Sequence, residues 1–137
     1  MRKISLGQDV PKSVDEVWAV IGDFADIRKW APVVKETKTE DSPEGPVRVL
    51  TMPDDRVVRE TQVDSGPHHY TYTLQRPDMK AYFSTVSVKP GVDEAAMIEL
   101  AVQFEVAEGG NVREATEGML AFLGGNIRAM QKALGVA

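Results

Sequence analysis

The stretch NVREATEGMLAFLGGNIRAMQKALG, residues 111–135, decides the architecture. Asn111-Val-Arg-Glu114 has the spacing of a capping box, in which the Asn oxygen and the Glu carboxylate satisfy free amides at a helix start. Met119, Leu120, Leu123, Ile127, Met130 and Leu134 then recur at helical spacing and form one apolar stripe. Gly135 marks the end of the helix. No other segment reads as a long helix, so the rest of the chain must bury its apolar face against this stripe.

Upstream, the pattern is mostly strand. Ile98, Leu100, Val102, Phe104 and Val106 share one face against Glu99, Gln103 and Glu105. Tyr70, Tyr72 and Leu74 share one against Thr71, Thr73 and Gln75. One wet face and one dry face is the signature of an antiparallel sheet covered on one side. Further strands are expected at Arg2–Val10, Val33–Thr39, Val47–Met52, Arg56–Val63 and Ala81–Lys89, with turns at Asp41–Pro46, Pro53-Asp54-Asp55, Asp64–Pro67 and Pro90-Gly91. Two short helices lie between the first two strands. The first is capped by the Ser13–Glu16 box and stopped at Gly22; the second is capped by Asp23 and carries Phe24, Ile27 and Trp30. The fold class is α+β: a seven-stranded curved antiparallel sheet around one long C-terminal helix, with two short helices. Twisted sheets of this width curl, and a curled sheet holding one helix leaves a cavity between them.

Residues 1–137 read as one domain, with no linker, repeat or low-complexity tract. Apolar residues make up 42%, enough for a core. Sixteen basic and 21 acidic residues give a net charge of −5, which argues against nucleic-acid binding because an acidic surface repels phosphate. Cysteine is absent, which removes disulfides, thiol catalysis and thiolate metal sites. No apolar run has membrane-spanning length, and Met1–Asp9 does not read as a signal peptide, so a cytoplasmic location is expected. His68 and His69 are adjacent and would point to opposite faces of a strand, so no metal site is expected. No phosphate-cradling glycine loop or nucleophile elbow occurs, and no cofactor is expected.

The hairpin around Pro53-Asp54-Asp55 places Arg48 directly opposite Glu60. Either Val58, Glu60 and Gln62 point inward, or Val57, Arg59, Thr61 and Val63 do; both choices send a charge into the concave side. An inward Glu60 needs Arg48 as its partner. Tyr70, Tyr72, Tyr82 and Ser84 are expected on the inner face, where a tyrosine hydroxyl seeks a partner. Gly124-Gly125 costs helix stability, and a close approach of the sheet or a ligand is the expected compensation; Asn126 lies beside it. Trp30, Pro32, Met119, Phe122, Leu123 and Met130 are the candidate apolar walls, and Trp18 is assigned to the core.

The ordered set Val17-Trp18, Asp23-Phe24, Ile27-Arg-Lys-Trp30-Ala-Pro32, Val47-Arg48-Val-Leu, Val58-Arg59-Glu60-Thr, Tyr70-Thr-Tyr72 and Tyr82-Phe-Ser84, closed by the final helix, resembles the START-related (SRPBCC) superfamily, in particular its bacterial polyketide cyclase/dehydrase-like members. Leu100 stands where bacterial members often have Trp. The resemblance implies a helix-grip fold with a ligand cavity, and favours Glu60 and Arg48 facing it, with Asn126 near its mouth. The expected partner is a small hydrophobic molecule, lipid-, polyketide- or hormone-like. The alternative is a polyketide cyclase or dehydratase using Glu60, Tyr72 and Tyr82 as its catalytic groups.

Overall fold

The computed structural model describes residues 1–136. The strands are β1 (Arg2–Val10), β2 (Glu36–Glu40), β3 (Val47–Thr51), β4 (Val57–Gly66), β5 (His69–Thr73), β6 (Met79–Pro90) and β7 (Ala96–Val106). The helices are α1 (Val14–Ile21) and α2 (Val112–Leu134). The strands form one antiparallel sheet in the order β1-β7-β6-β5-β4-β3-β2. Six consecutive strands meander, and the first strand closes beside the last. With α2 held in its concavity, this is the helix-grip arrangement.

The capping box of α1 forms in both directions, between Ser13 and Glu16. Gly22 is the C-cap of α1, its amide donating to the Trp18 carbonyl, and a side chain there would collide with the Trp18 indole. At α2, the Asn111 oxygen accepts from the Glu114 amide. Gly135 ends α2 in the left-handed region, at φ 72°, and its amide returns to Gln131 and Lys132 carbonyls.

Several boundaries differ from expectation. The second short helix is a single 3₁₀ turn, Ile27–Lys29. Asp23 does not cap it: its carboxylate accepts from the Ala25 and Asp26 amides in the turn before, the N-cap is Asp26 without a side-chain bond, and Pro32 leaves no room for a second turn. The following strand starts at Glu36 rather than Val33. Asp64-Ser-Gly has turn composition yet stays in β4, because a bulge between Gln62 and Asp64 shifts the register and Gly66 pairs with His69. Among the described residues no helix is long and apolar enough to cross a membrane.

The α2 stripe buries Met119, Leu123, Ile127, Met130 and Leu134, each worth about 1.5–3 kcal/mol on full burial. Leu120, expected in that stripe, is exposed at the edge of the buried arc. Trp18 is half-buried rather than core, packed over His68 and Tyr70. The glycine pair is not there for a close sheet contact. A Cβ at Gly124 or Gly125 would meet only the Arg128 guanidinium, at 3.4 and 3.8 Å. We therefore expect Gly124→Ala and Gly125→Ala each to stabilise the protein by up to about 1 kcal/mol, read as a higher urea midpoint. A loss of stability would show that the backbone there needs glycine.

Candidate functional site

Between the concave face, α2 and the 3₁₀ turn lies a half-open cavity of about 1560 Å³. Binding pockets commonly hold about 300–1,000 Å³, so this one has room for a guest and its approach. The opening has a structural cause. Strand β5 stops at Thr73, and its pairing with β4 begins only at Thr61. The first residues of β4, Val57–Glu60, therefore have no neighbour on that flank. Every residue from Arg56 to Thr61, and every residue from Thr73 to Ser84, lines the cavity. Side chains of both sheet faces take part because the opening passes between those two segments. Phe122 and Asn126 of α2, with Trp30, Ala31 and Val33, complete the lining opposite.

The inner wall mixes apolar side chains with hydroxyls, and its buried charge is confined to one cluster. Arg48 is 1% exposed and Glu60 8%, and both line the cavity. Their Cα partnership is the one the hairpin dictates. Arg48 Nε donates to Glu60 Oε1 at 2.7 Å. Its Nη1 donates to the Phe24 carbonyl at 3.2 Å and to the Tyr70 hydroxyl at 3.3 Å. Three rings surround the guanidinium carbon: Phe24 at 4.4 Å, Tyr72 at 4.8 Å and Tyr70 at 5.5 Å from their centroids. Cation–π attraction of this kind is worth about 2 kcal/mol when desolvated. An arginine has five N–H donors; among the described residues the Nη2 pair has no protein acceptor. Burial alone would lower the guanidinium's pKa, but Tyr70 and Glu60 outweigh it and push the value up, so Arg48 is held charged.

The chain's three tyrosines, Tyr70, Tyr72 and Tyr82, all line this cavity. Burial raises the pKa of each, most strongly for Tyr72. Arg48 pulls Tyr70 partly back, and Arg76 does the same for Tyr82. All three remain neutral hydroxyl donors at ordinary pH. One buried donor at the wall, Nε1 of Trp30, has no partner, which costs about 1–3 kcal/mol.

Of the residues picked out in the sequence, Trp30, Arg48, Glu60, Tyr70, Tyr72, Tyr82, Ser84, Phe122, Leu123, Asn126 and Met130 are brought together around the cavity. Met119 and Pro32 are not: Met119 is closed into the packed core, Pro32 is exposed, and neither lines the cavity. His68 and His69 lie outside, each against a different carboxylate, Asp15 and Asp64. Sequence reasoning missed Phe24, whose carbonyl and ring both hold Arg48. It also missed Arg76, which pairs with Asp78 at 2.9 and 3.0 Å and lies over the Tyr82 ring. The segment Arg76–Asp78 follows the early end of β5, which makes it cavity wall.

A curled sheet, a terminal helix seated in it and a cavity between them define a helix-grip protein of the SRPBCC superfamily. The chain belongs to the polyketide cyclase/dehydrase and lipid transport family, whose model matches residues 1–135. Among solved structures it is similar to XoxI from Bacillus cereus, with 24% identity and a TM-score of 0.82 over 98% of this chain and 96% of that one. It is also similar to Ara h 8.0201, with 13% identity and a TM-score of 0.73 over 99% of each chain. Norcoclaurine synthase from Thalictrum flavum has 16% identity and a TM-score of 0.71, over 97% of this chain and 83% of that one. At such identities the likeness is one of fold. No curated protein matches the chain.

Two measurements test the cluster. A tyrosine whose folded pKa is raised contributes stability that is complete below the unfolded value, about 10, and is lost as pH rises above it. Absorbance of phenolate should therefore stay flat through the usual tyrosine range, then rise in one step together with unfolding. A separate transition near the ordinary value would show a hydroxyl open to solvent. Removing one member of a buried ion pair typically costs about 3–5 kcal/mol, whereas replacing both by apolar groups is often neutral. Arg48→Met and Glu60→Leu should each destabilise by about that amount in urea titrations, and the double variant by less than either. Additive losses would mean the two side chains act independently.

Proposed function

We propose that the protein binds a small, largely hydrophobic molecule in this cavity and orients it by one oxygen function. The observation that carries the reading is the Arg48 guanidinium, buried in a cavity large enough for a guest and left with an unengaged Nη2. Its Nη2 hydrogens are not used by any protein acceptor among the described residues, so they are available to a ligand carbonyl or hydroxyl. Tyr72, Tyr82 and Ser84 line the same space and offer further hydrogen bonds, while Leu50, Val58, Leu74 and Leu123 supply apolar wall. The family's description, which includes lipid transport, supports the same reading.

The alternative is turnover, cyclisation or dehydration of a polyketide-like chain, with Glu60 as base or acid and Tyr72 or Tyr82 steadying an enolate. Binding ranks first because Glu60 already commits one oxygen to Arg48 at 2.7 Å. Only the second oxygen of Glu60 is then left for acid or base work.

A neutral apolar dye such as N-phenylnaphthylamine should bind at one site with enhanced fluorescence. Val58→Trp, which fills the inner wall, should abolish that signal while the protein still unfolds cooperatively. Undiminished dye binding by the folded variant would refute the cavity as the binding site. Native mass spectrometry of freshly purified protein would identify a co-purifying guest by mass.

A further inference from the structure

The opening of the cavity differs in chemistry from its interior. Four cations line it, Arg56, Arg59, Arg76 and Lys80, against one exposed acid, Asp78, on a protein of net charge −5. Two of the cations are engaged: Arg59 with Glu40 at 2.6 Å and Arg76 with Asp78 at 2.9 Å. Arg56 and Lys80 have no carboxylate partner among the described residues. The nearby turn acids do not answer them. Asp55 is paired with Lys35, Asp54 accepts from the Arg56 backbone amide, and neither lines the cavity.

Lys80 is placed at the opening by a backbone device. Strand β6 slips register between Met79 and Ala81. Strict alternation from Tyr82 would turn Lys80 to the concave face. The bulge instead buries Met79 and leaves Lys80 exposed. Bulges beside functional sites commonly re-aim a side chain in this way. The same rim carries apolar side chains left largely in solvent: Val33 at 61%, Val57 at 58% and Phe122 at 51% exposed. Cations and apolar groups thus share one opening.

We propose that Arg56 and Lys80 form a seat for an anionic group at one end of the guest, whose largely apolar body lies in the cavity with its neutral oxygen function toward Arg48. This deepens the binding reading above and rests on it. The orientation follows from charge. Inside, Arg48 is already neutralised by Glu60, so a buried anion would meet a carboxylate and lose its hydration. At the opening it keeps water and meets two unpaired cations. A carboxylate and a phosphate monoester both satisfy this chemistry.

Isothermal titration with dodecanol, dodecanoate and dodecyl phosphate, each below its micellar concentration, tests the seat. At low ionic strength both anions should bind roughly tenfold more tightly than the alcohol, an advantage that added salt narrows. The folded double variant Arg56→Gln/Lys80→Gln should lose that advantage. If dodecanol binds as tightly as dodecanoate, or if the advantage survives in the double variant, the seat is wrong and the cavity reading stands. If none of the three binds, the cavity reading falls and the seat with it. A preference for one anion over the other, removed by the same variant, supports the seat and names the head group.

Discussion

The buried charge of Arg48 is the constraint around which the interior is organised. A guanidinium removed from water needs a counter-charge, acceptors and polarisable neighbours, and no single element provides all three. Strand β4 brings Glu60, the segment after α1 brings the Phe24 carbonyl and ring, and β5 brings Tyr70 and Tyr72. These contacts join parts of the chain that are distant in sequence. Register does the joining: Pro53-Asp54-Asp55 sets Arg48 against Glu60. A one-residue slip of β4 would part the two, turning Glu60 outward and Arg59 toward the core. The length of one surface turn therefore decides the polarity of the cavity.

A second constraint is the mismatch between sheet and helix. The buried stripe of α2 covers only part of the concavity. Leu123 and Met130 reach both the core and the cavity, while Met119 lies wholly in the core. The remaining concave surface is left to the tyrosines, Ser84 and the ion pair. Close packing of that space would require bulky apolar side chains where the sequence has hydroxyls and a guanidinium.

What the sequence made legible follows from these two constraints. Strand alternation, the helix stripe and the caps are local patterns, and the elements they imply are present. The opposition of Arg48 and Glu60 was also readable, because a two-stranded hairpin with a short turn has little freedom. Which face the pair occupies was not readable, since Val57–Val63 carries polar groups at both parities. That choice depends on Phe24 and Tyr70, which meet Arg48 only in three dimensions. Met119 has the same periodicity and chemistry as Leu123, so spacing could not separate core from cavity wall. The Gly124-Gly125 pair suggested a tight contact that does not exist. Bulges at Gln62–Asp64 and Met79–Ala81 leave no mark in a period-two pattern except a local fault, and one of them governs where Lys80 lies.

An entrance cut into a sheet leaves raw strand flanks. Where β5 ends early, the start of β4 presents backbone amides and carbonyls with no ladder partner on that side, the kind of edge onto which a foreign strand could graft and seed a fibre. The chain places Arg56 and Arg59 along that flank and a kinked, lysine-bearing segment across from it. Charge and local twist make the doorway a poor template for self-association. Solubility at this point is thus governed by the same few side chains that border the way in.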